Sequence, residues 1–154
     1  MRKGIALAAT ICLIGMGSTF ADDPTDKPSN RAELRLGQDD PADGLVKVTV
    51  KGTDDVIYLH KDAVLTSKEI ETAVVTKDSR GKPAIAIAFS VDGAKRIADV
   101  TKNNIDKRLA IVVDGIVISA PTIRSAIRSR AEISGNFTEK EAADIAKALG
   151  GKRF

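Results

Sequence analysis

The dipeptide Asp114-Gly115 lies between two short apolar runs, one from Leu109 to Val113 and one from Ile116 to Ser119. A two-residue turn of type I′ needs a positive φ angle at both central residues, and Asp-Gly supplies it at little steric cost. The sequence therefore predicts a tight hairpin of two antiparallel strands at this point. It is the strongest hairpin signal in the chain.

Further strands follow from the alternation of apolar and polar residues. The run 84–89 places Ile85, Ile87 and Phe89 on one face and three alanines on the other. Because a face of small side chains suits the close approach of a helix, we expect a central strand here with a helix against its alanines. The other expected strands are 33–36, 46–50, 56–59, 74–75 and 131–134, with a hairpin between the second and third and the DSRGK turn before Ala84.

Three helices are predicted from their caps and apolar stripes. Thr66 and Glu69 have the spacing of a capping box, which predicts a short helix ending near Thr72. Ser90 begins a second helix that ends at Asn103-Asn104. Its predicted buried stripe comprises Val91, Ala94, Ile97, Ala98 and Thr101.

The third helix is the clearest element in the sequence. Thr138 and Glu141 form a second capping box, and Phe137 before it is placed to contact Ala142 as a hydrophobic staple. Gly150-Gly151 ends the helix. Its predicted buried face comprises Ala142, Ile145, Ala146 and Leu149. Hairpins combined with amphipathic helices predict an α+β fold, in which helices pack on one face of an antiparallel sheet.

Residues 1–21 have the order of a secretory signal peptide. Arg2 and Lys3 precede an apolar run of about a dozen residues, and small residues end at Ala21. The run is shorter than the roughly 20 residues of a spanning helix. We therefore expect cleavage after Ala21, a disordered polar leader over 22–31 and one domain over 32–151. An uncleaved anchor is disfavoured, and so is a lipid anchor on Cys12, because the preceding Ile11 is too bulky.

Signal cleavage changes the composition of the chain. Cys12 is the only cysteine and leaves with the signal, so the mature protein has neither a disulfide nor a thiol. Two of the 24 basic residues also leave, so 22 basic residues face 21 acidic ones. The mature chain is thus nearly neutral. It has no apolar stretch long enough to span a membrane. We expect it in the periplasm or outside the cell, without a membrane span.

The stretch from Lys82 to Leu149 resembles a known family. The runs GKPAIAIAFSVDGAKRIADVTKNNIDKRLAIVVDGIVISAP and AEISGNFTEKEAADIAKAL are similar to the head of the first periplasmic domain of SecD. ELRL and YLHKDAVLTSKEIETA resemble the start of the same head. The resemblance implies the fold of the SecD head, a ferredoxin-like variant. It also implies contact with polypeptide emerging on the far side of the membrane during protein export.

Two departures limit what the resemblance implies. Proton-driven movement of the SecD head depends on transmembrane helices, and no stretch of this sequence has the length and apolar character to form one, so we do not expect that activity here. The family also has a glycine-rich turn between the SAP and ISGNF motifs, where this chain has Arg124, Arg128, Ser129 and Arg130. The resemblance therefore gives no support to a binding role of that turn.

Few residues in the sequence are candidates for catalysis, metal binding or nucleic-acid binding. His60 is the only histidine, and a zinc site is disfavoured because the mature chain has no cysteine and no second histidine. A lone histidine at a strand-to-loop junction is also more often structural or solvated than the base of a Ser-His-Asp triad. The aspartates at 39, 40, 43, 54 and 55 lack the regular spacing of a calcium loop. The basic stretch RSAIRSR lacks the aromatic residues that stack on nucleic acid. We therefore predict no enzyme activity, no metal, no cofactor and no nucleic-acid partner.

The remaining candidate is a surface for another protein. Residues 122–130 have no clear periodicity, and partly exposed apolar side chains rimmed by arginine are typical of interfaces. The candidate contact residues are Ile123, Arg124, Ile127, Arg128 and Arg130. The competing interpretation places both isoleucines in the core and the arginines in solvent.

The predicted function is a non-catalytic, exported module that binds protein or unfolded polypeptide. The alternative is an accessory domain that docks onto a membrane or envelope complex and binds no unfolded substrate.

Overall fold

The fold combines antiparallel strands with two helices, which confirms the α+β class. The structure is a computed structural model and describes residues 31–150, so the predicted signal peptide, most of the leader and Gly151 lie outside it. Every strand pair is antiparallel. The elements are β1 (Ala32–Gln38), β2 (Val46–Thr49), β3 (Val56–Thr66), β4 (Ile70–Lys77), β5 (Pro83–Phe89), α1 (Val91–Lys102), β6 (Arg108–Val113), β7 (Ile116–Ser119), β8 (Arg130–Ser134) and α2 (Glu139–Ala148).

The strands form two sheets, whereas the sequence analysis expected one. The larger sheet has the order β2-β3-β1-β6-β7, and the smaller sheet has the order β4-β5-β8. Alternation along a strand shows which residues share a face, but it does not identify the neighbouring strand. The partition into two sheets is therefore a property of the tertiary structure.

The predicted helix from Thr66 to Thr72 is wrong. The capping box forms, because the Thr66 N–H donates to Glu69 Oε2 at 2.8 Å, but it closes only a 3-10 turn at Ser67–Glu69. Ile70 is buried, and the β-branched residues that follow favour an extended chain. The chain therefore passes through one turn from β3 in the larger sheet to β4 in the smaller one.

The main core lies between the two sheets and the helices. Ile85, Ile87 and Phe89 of β5 belong to it, together with Ile145 and Leu149 at the end of α2. The helices thus meet the isoleucine face of β5, and the expectation that they cover its alanines is wrong. The prediction that this strand is central is confirmed, since β5 lies between β4 and β8.

The larger sheet curls around a second, smaller core. Ala110 and Val112 of β6 contact this core, while Leu109 and Ile111 face the main one, so β6 is buried on both faces. This explains the continuous apolar run in its sequence. The curl brings the end of β2 close to β7, where the Lys51 N–H donates to the Val117 carbonyl at 2.8 Å.

The two main helices begin where the sequence predicted. The Ser90 side chain accepts from the Gly93 N–H at 3.2 Å, and the second capping box of Thr138 and Glu141 is complete. One prediction fails at the start of α1, because Val91 is 73% exposed and not part of the buried stripe. Within residues 31–150, neither helix has the length and apolar character needed to cross a membrane.

The Asp114-Gly115 turn is confirmed as the tight end of the β6–β7 hairpin. Both residues have positive φ angles, 50° and 81° respectively. Asp114 also contacts the first described residue, since its N–H donates to the Arg31 carbonyl at 3.0 Å and its Oδ1 accepts from the Arg31 N–H at 3.1 Å. The turn thus fixes the point at which the chain enters β1.

Candidate functional site

A cleft of about 600 Å³ lies beside the β6–β7 hairpin. The strand β7 and the turn after β2 form one wall, and α2 with the loop before it forms the other. This volume is in the range of about 300–1,000 Å³ that is typical of ligand sites. Its lining comprises Val50–Thr53, Asp55, Val113, Asp114, Ile116, Ile118–Pro121, Ser134–Phe137, Glu141, Asp144, Ile145, Lys147 and Ala148.

The cleft has an apolar interior that is open to solvent. Ile116 is 53% exposed, and Ile118 and Phe137 are half-buried. Ile145 and Ala148 are buried residues of α2 that line the same cleft. Another molecule that covered these side chains would remove apolar surface from water, which is the main driving force of association.

Charged side chains surround this apolar interior. Lys51 Nζ lies 3.1 Å from Glu141 Oε1 and so joins the turn after β2 to α2 across the cleft. Glu141 Oε2 also accepts from the N–H and the hydroxyl of Thr138, each at 3.0 Å. These contacts lower the pKa of Glu141 to about 2, with the backbone N–H of Thr138 as the largest cause and Lys51 next.

This pKa predicts how the variant Glu141→Gln responds to acid. Because the pKa in the folded protein lies below the ordinary value of 4.5, the carboxylate stabilises the fold above pH 4.5 and loses this effect as the pH falls toward about 2. We expect Glu141→Gln to be less stable than wild type at pH 7 and to lose less stability over that interval. Urea unfolding across the interval measures this. A Glu141→Gln variant that loses as much stability as wild type over this interval would contradict the expectation.

The predicted interface segment 122–130 is a well-anchored connection between the two sheets. Ile123 is only 3% exposed and belongs to the main core, while Ile127 is half-buried against that core. The Ile123 N–H donates to the Lys107 carbonyl at 2.8 Å, and the Ile127 N–H donates to the buried Thr101 hydroxyl at 2.9 Å. The isoleucines therefore fix the path of the segment, and Ile123 is not a surface residue.

The three arginines of this segment are exposed. Arg124 has one distant ion-pair partner, Asp106, at 3.8 Å, and both side chains are about 80% exposed. Arg128 and Arg130 are also exposed. The segment leaves the cleft at Pro121, but none of the residues 122–130 lines it. The structure thus separates the predicted arginine surface from the apolar cleft.

The aspartates and the histidine considered in the sequence analysis form no metal site within residues 31–150. Asp39 and Asp55 contact the same guanidinium, with Asp39 Oδ1 at 3.1 Å from Arg108 Nε and Asp55 Oδ2 hydrogen-bonded to Arg108 Nη2. Two acidic loops are thereby held at the start of β6. His60 is exposed on β3, and no group of three acidic, histidine or cysteine side chains within residues 31–150 is arranged to bind a metal.

Sequence reasoning missed the cleft because each lining residue had a local explanation. Ile116 flanks a turn, Phe137 precedes a cap, and Glu141 completes that cap. The sequence contained one signal of the cleft, which is the place of Ile116 directly after the tight turn. An apolar side chain next to such a turn has little opportunity for burial. Only the tertiary structure brings the hairpin and α2 together.

Residues 31–150 form an α+β domain of two antiparallel sheets with an open apolar cleft. Residues 45–152 match the family model of the SecDF P1 head subdomain, and the chain belongs to that family. The chain is 44% identical over 91 residues to the protein translocase subunit SecD of Aquifex aeolicus, which covers 59% of this chain and 18% of that relative.

Two further comparisons agree with this assignment. SecD of Calditerrivibrio nitroreducens is 37% identical over 134 residues, covering 80% of this chain and 26% of that relative. A solved structure of SecDF, a membrane component that enhances protein export, superposes with a TM-score of 0.61 at 29% identity, covering 77% of this chain and 61% of that one. The chain thus spans about a quarter or less of the length of the two SecD relatives.

Proposed function

We propose that this chain is a non-catalytic module of protein export that binds unfolded polypeptide outside the cytoplasm, and that the cleft receives apolar side chains of that polypeptide. The observation that carries the proposal is the half-exposed Ile116 above an apolar cleft, in a chain that belongs to the SecDF P1 head family. Relatives named protein translocase subunits support a polypeptide as the ligand.

The physical character of the cleft suits a ligand of variable sequence. Burial of apolar area contributes about 25 cal/mol per Å² and depends little on which apolar side chain enters. The ion pair of Lys51 and Glu141 keeps charged groups at the margin of the cleft, where they favour encounter more than affinity. Such a site binds many extended segments weakly and releases them, as export of a polypeptide requires.

The cleft is tested by replacing its most exposed apolar residue. The variant Ile116→Ser should bind a permanently unfolded, carboxymethylated polypeptide about three- to tenfold more weakly than wild type, because contact area at the mouth is lost. Fluorescence anisotropy with the labelled polypeptide measures the dissociation constant. Val91→Ser is the matched control, since Val91 is more exposed than Ile116 but lies outside the cleft. Equal weakening in both variants would contradict the proposal.

The exposed arginines of segment 122–130 are proposed as a second contact with polypeptide. The double variant Arg124→Ala with Arg128→Ala should capture the unfolded polypeptide less well and with a weaker dependence on salt, because two charges that attract acidic segments are removed. The yield of cross-linked product at low and at physiological salt measures this. The comparison is valid only if the double variant has the same melting temperature as wild type. Arg80→Ala with Lys82→Ala, in the turn before β5, removes the same charge and should behave as wild type. Undiminished capture by the Arg124/Arg128 variant would exclude this contact.

The same measurements separate the alternative function. An accessory domain that docks onto a membrane or envelope complex would show no affinity for unfolded polypeptide even as wild type. It would instead be recovered with one stable partner. That result would replace the polypeptide-binding proposal by the docking role.

A further inference from the structure

The outer edge of β4 has no neighbouring strand in the part of the chain that the structure describes. The strand has eight residues, and within residues 31–150 no strand pairs with its outer side. Natural sheets protect such edges with charged residues, proline or short strands. The opposite edge, β8, has five residues and carries Arg130 and Glu132, whereas the longer β4 carries its charges at Glu71 and Lys77 and has the uncharged run Thr72–Thr76 between them.

Hydrogen bonds of the smaller sheet identify the free backbone groups of β4. The Asp78 N–H donates to the Lys82 carbonyl at 2.8 Å, so residue 78 faces β5. On the other side of β5, the Phe89 N–H donates to the Ser129 carbonyl at 3.0 Å, so residue 89 faces β8. Because these groups alternate along a strand, Thr72, Val74 and Thr76 bond to β5. Ala73, Val75 and Lys77 therefore direct their backbone groups outward.

The side chains of β4 are complementary to a second copy of β4. If two strands pair antiparallel with Val74 opposite Val74, Glu71 of each copy lies opposite Lys77 of the other. The same register places Ala73 opposite Val75, and these are the residues whose backbone groups face outward. Val74 and Val75 are 39% and 45% exposed, so the pairing also covers apolar surface.

Neighbouring registers lack this match. A shift by two residues in one direction sets Lys77 opposite Ala73, and a shift in the other direction sets Glu71 opposite Val75. Only the register centred on Val74 combines outward backbone groups, exposed valines and two opposite-charge pairs. Opposite charges directly across two antiparallel strands stabilise the pair, and like charges destabilise it.

We propose that β4 pairs with β4 of a second copy of this chain across a two-fold axis at Val74. The two smaller sheets then form one continuous sheet of six strands, three from each copy. This surface is separate from the cleft and does not depend on what the cleft binds.

Charge reversal tests this register by sedimentation equilibrium of the chain without its predicted signal peptide. Wild type should dimerise, and Glu71→Lys or Lys77→Glu alone should weaken the dimer about tenfold, because each variant sets like charges opposite one another. The double variant should regain the wild-type affinity. A mixture of the two single variants should form heterodimers, since every facing pair is then again of opposite charge.

A proline variant tests the backbone contribution independently of charge. Val75→Pro removes an outward N–H and leaves the bonds to β5 intact, so it should abolish the dimer without loss of the fold. Val91→Pro is the control, because proline is well accepted at the first position of a helix. A wild type that stays monomeric at its highest soluble concentration would overturn the proposal, as would a dimer indifferent to these changes. If wild type is monomeric and Val75→Pro abolishes the capture of unfolded polypeptide, then this edge binds polypeptide and not a second copy of the chain.

Discussion

Replacing Leu149 by alanine lowers the free energy of unfolding by about 2–5 kcal/mol, because it removes a large side chain from the core and leaves a cavity. Leu149 has no exposed surface and belongs, with Ile145, to the cluster between α2 and the smaller sheet. Ile145→Ala should fall in the same range. Urea unfolding measures both variants.

The control for these substitutions is Val91→Ala, which shortens an aliphatic side chain of α1 that is largely in solvent. It should stay within about 0.5 kcal/mol of wild type. If Leu149→Ala were equally mild, α2 would not be held against the sheet by this face, and the wall of the cleft that α2 provides would be misplaced.

The second large effect is expected at the hairpin turn. Asp114→Pro should cost about 2–4 kcal/mol, because proline cannot adopt the φ angle of 50° found there and has no N–H to donate to the Arg31 carbonyl. Thermal and urea unfolding measure the loss.

Asp114→Asn is the matched variant for this turn. Asparagine tolerates a positive φ angle and keeps both the N–H and a side-chain oxygen, so its cost should be below about 1 kcal/mol. Equal losses in the two variants would show that the turn geometry is not the determinant of the hairpin.

Features with local determinants could be predicted from the sequence. The Asp114-Gly115 turn and the cap of Thr138 and Glu141 each depend on residues within four positions of one another, and both formed as expected. The family resemblance was also visible in the sequence, because its motifs are contiguous runs of residues. The α+β class followed from the hairpins and helices together.

Features that depend on tertiary neighbours could not be predicted in the same way. The capping box at Thr66 competes with the β-branched residues after Ile70, and the partners of β4 decide that competition in favour of a strand. Alternation in β5 separates isoleucines from alanines, but it does not show which face meets the helices. Val91 fits the helical stripe of α1 and nevertheless lies beyond the core.

The candidate contact residues divide in the same way, into those whose environment the sequence predicts and those whose environment depends on tertiary neighbours. The exposure of Arg124, Arg128 and Arg130 agrees with the sequence, since arginine is rarely buried without a partner. Ile123, by contrast, lies in the core, because the extended segment around it pairs with residues 107–109. The apolar cleft was not foreseen, since the hairpin and α2 are brought together by the fold alone.

Site-specific photo-cross-linking shows whether the cleft contacts unfolded polypeptide. A photoreactive benzoylphenylalanine is placed at position 116 in one protein and at position 91 in another, and each is illuminated with a labelled, permanently unfolded polypeptide. We predict a strong cross-link from position 116 that excess unlabelled polypeptide suppresses, and little product from position 91. Equal yields from both positions, or no cross-link from position 116, would exclude the cleft as the contact with unfolded polypeptide.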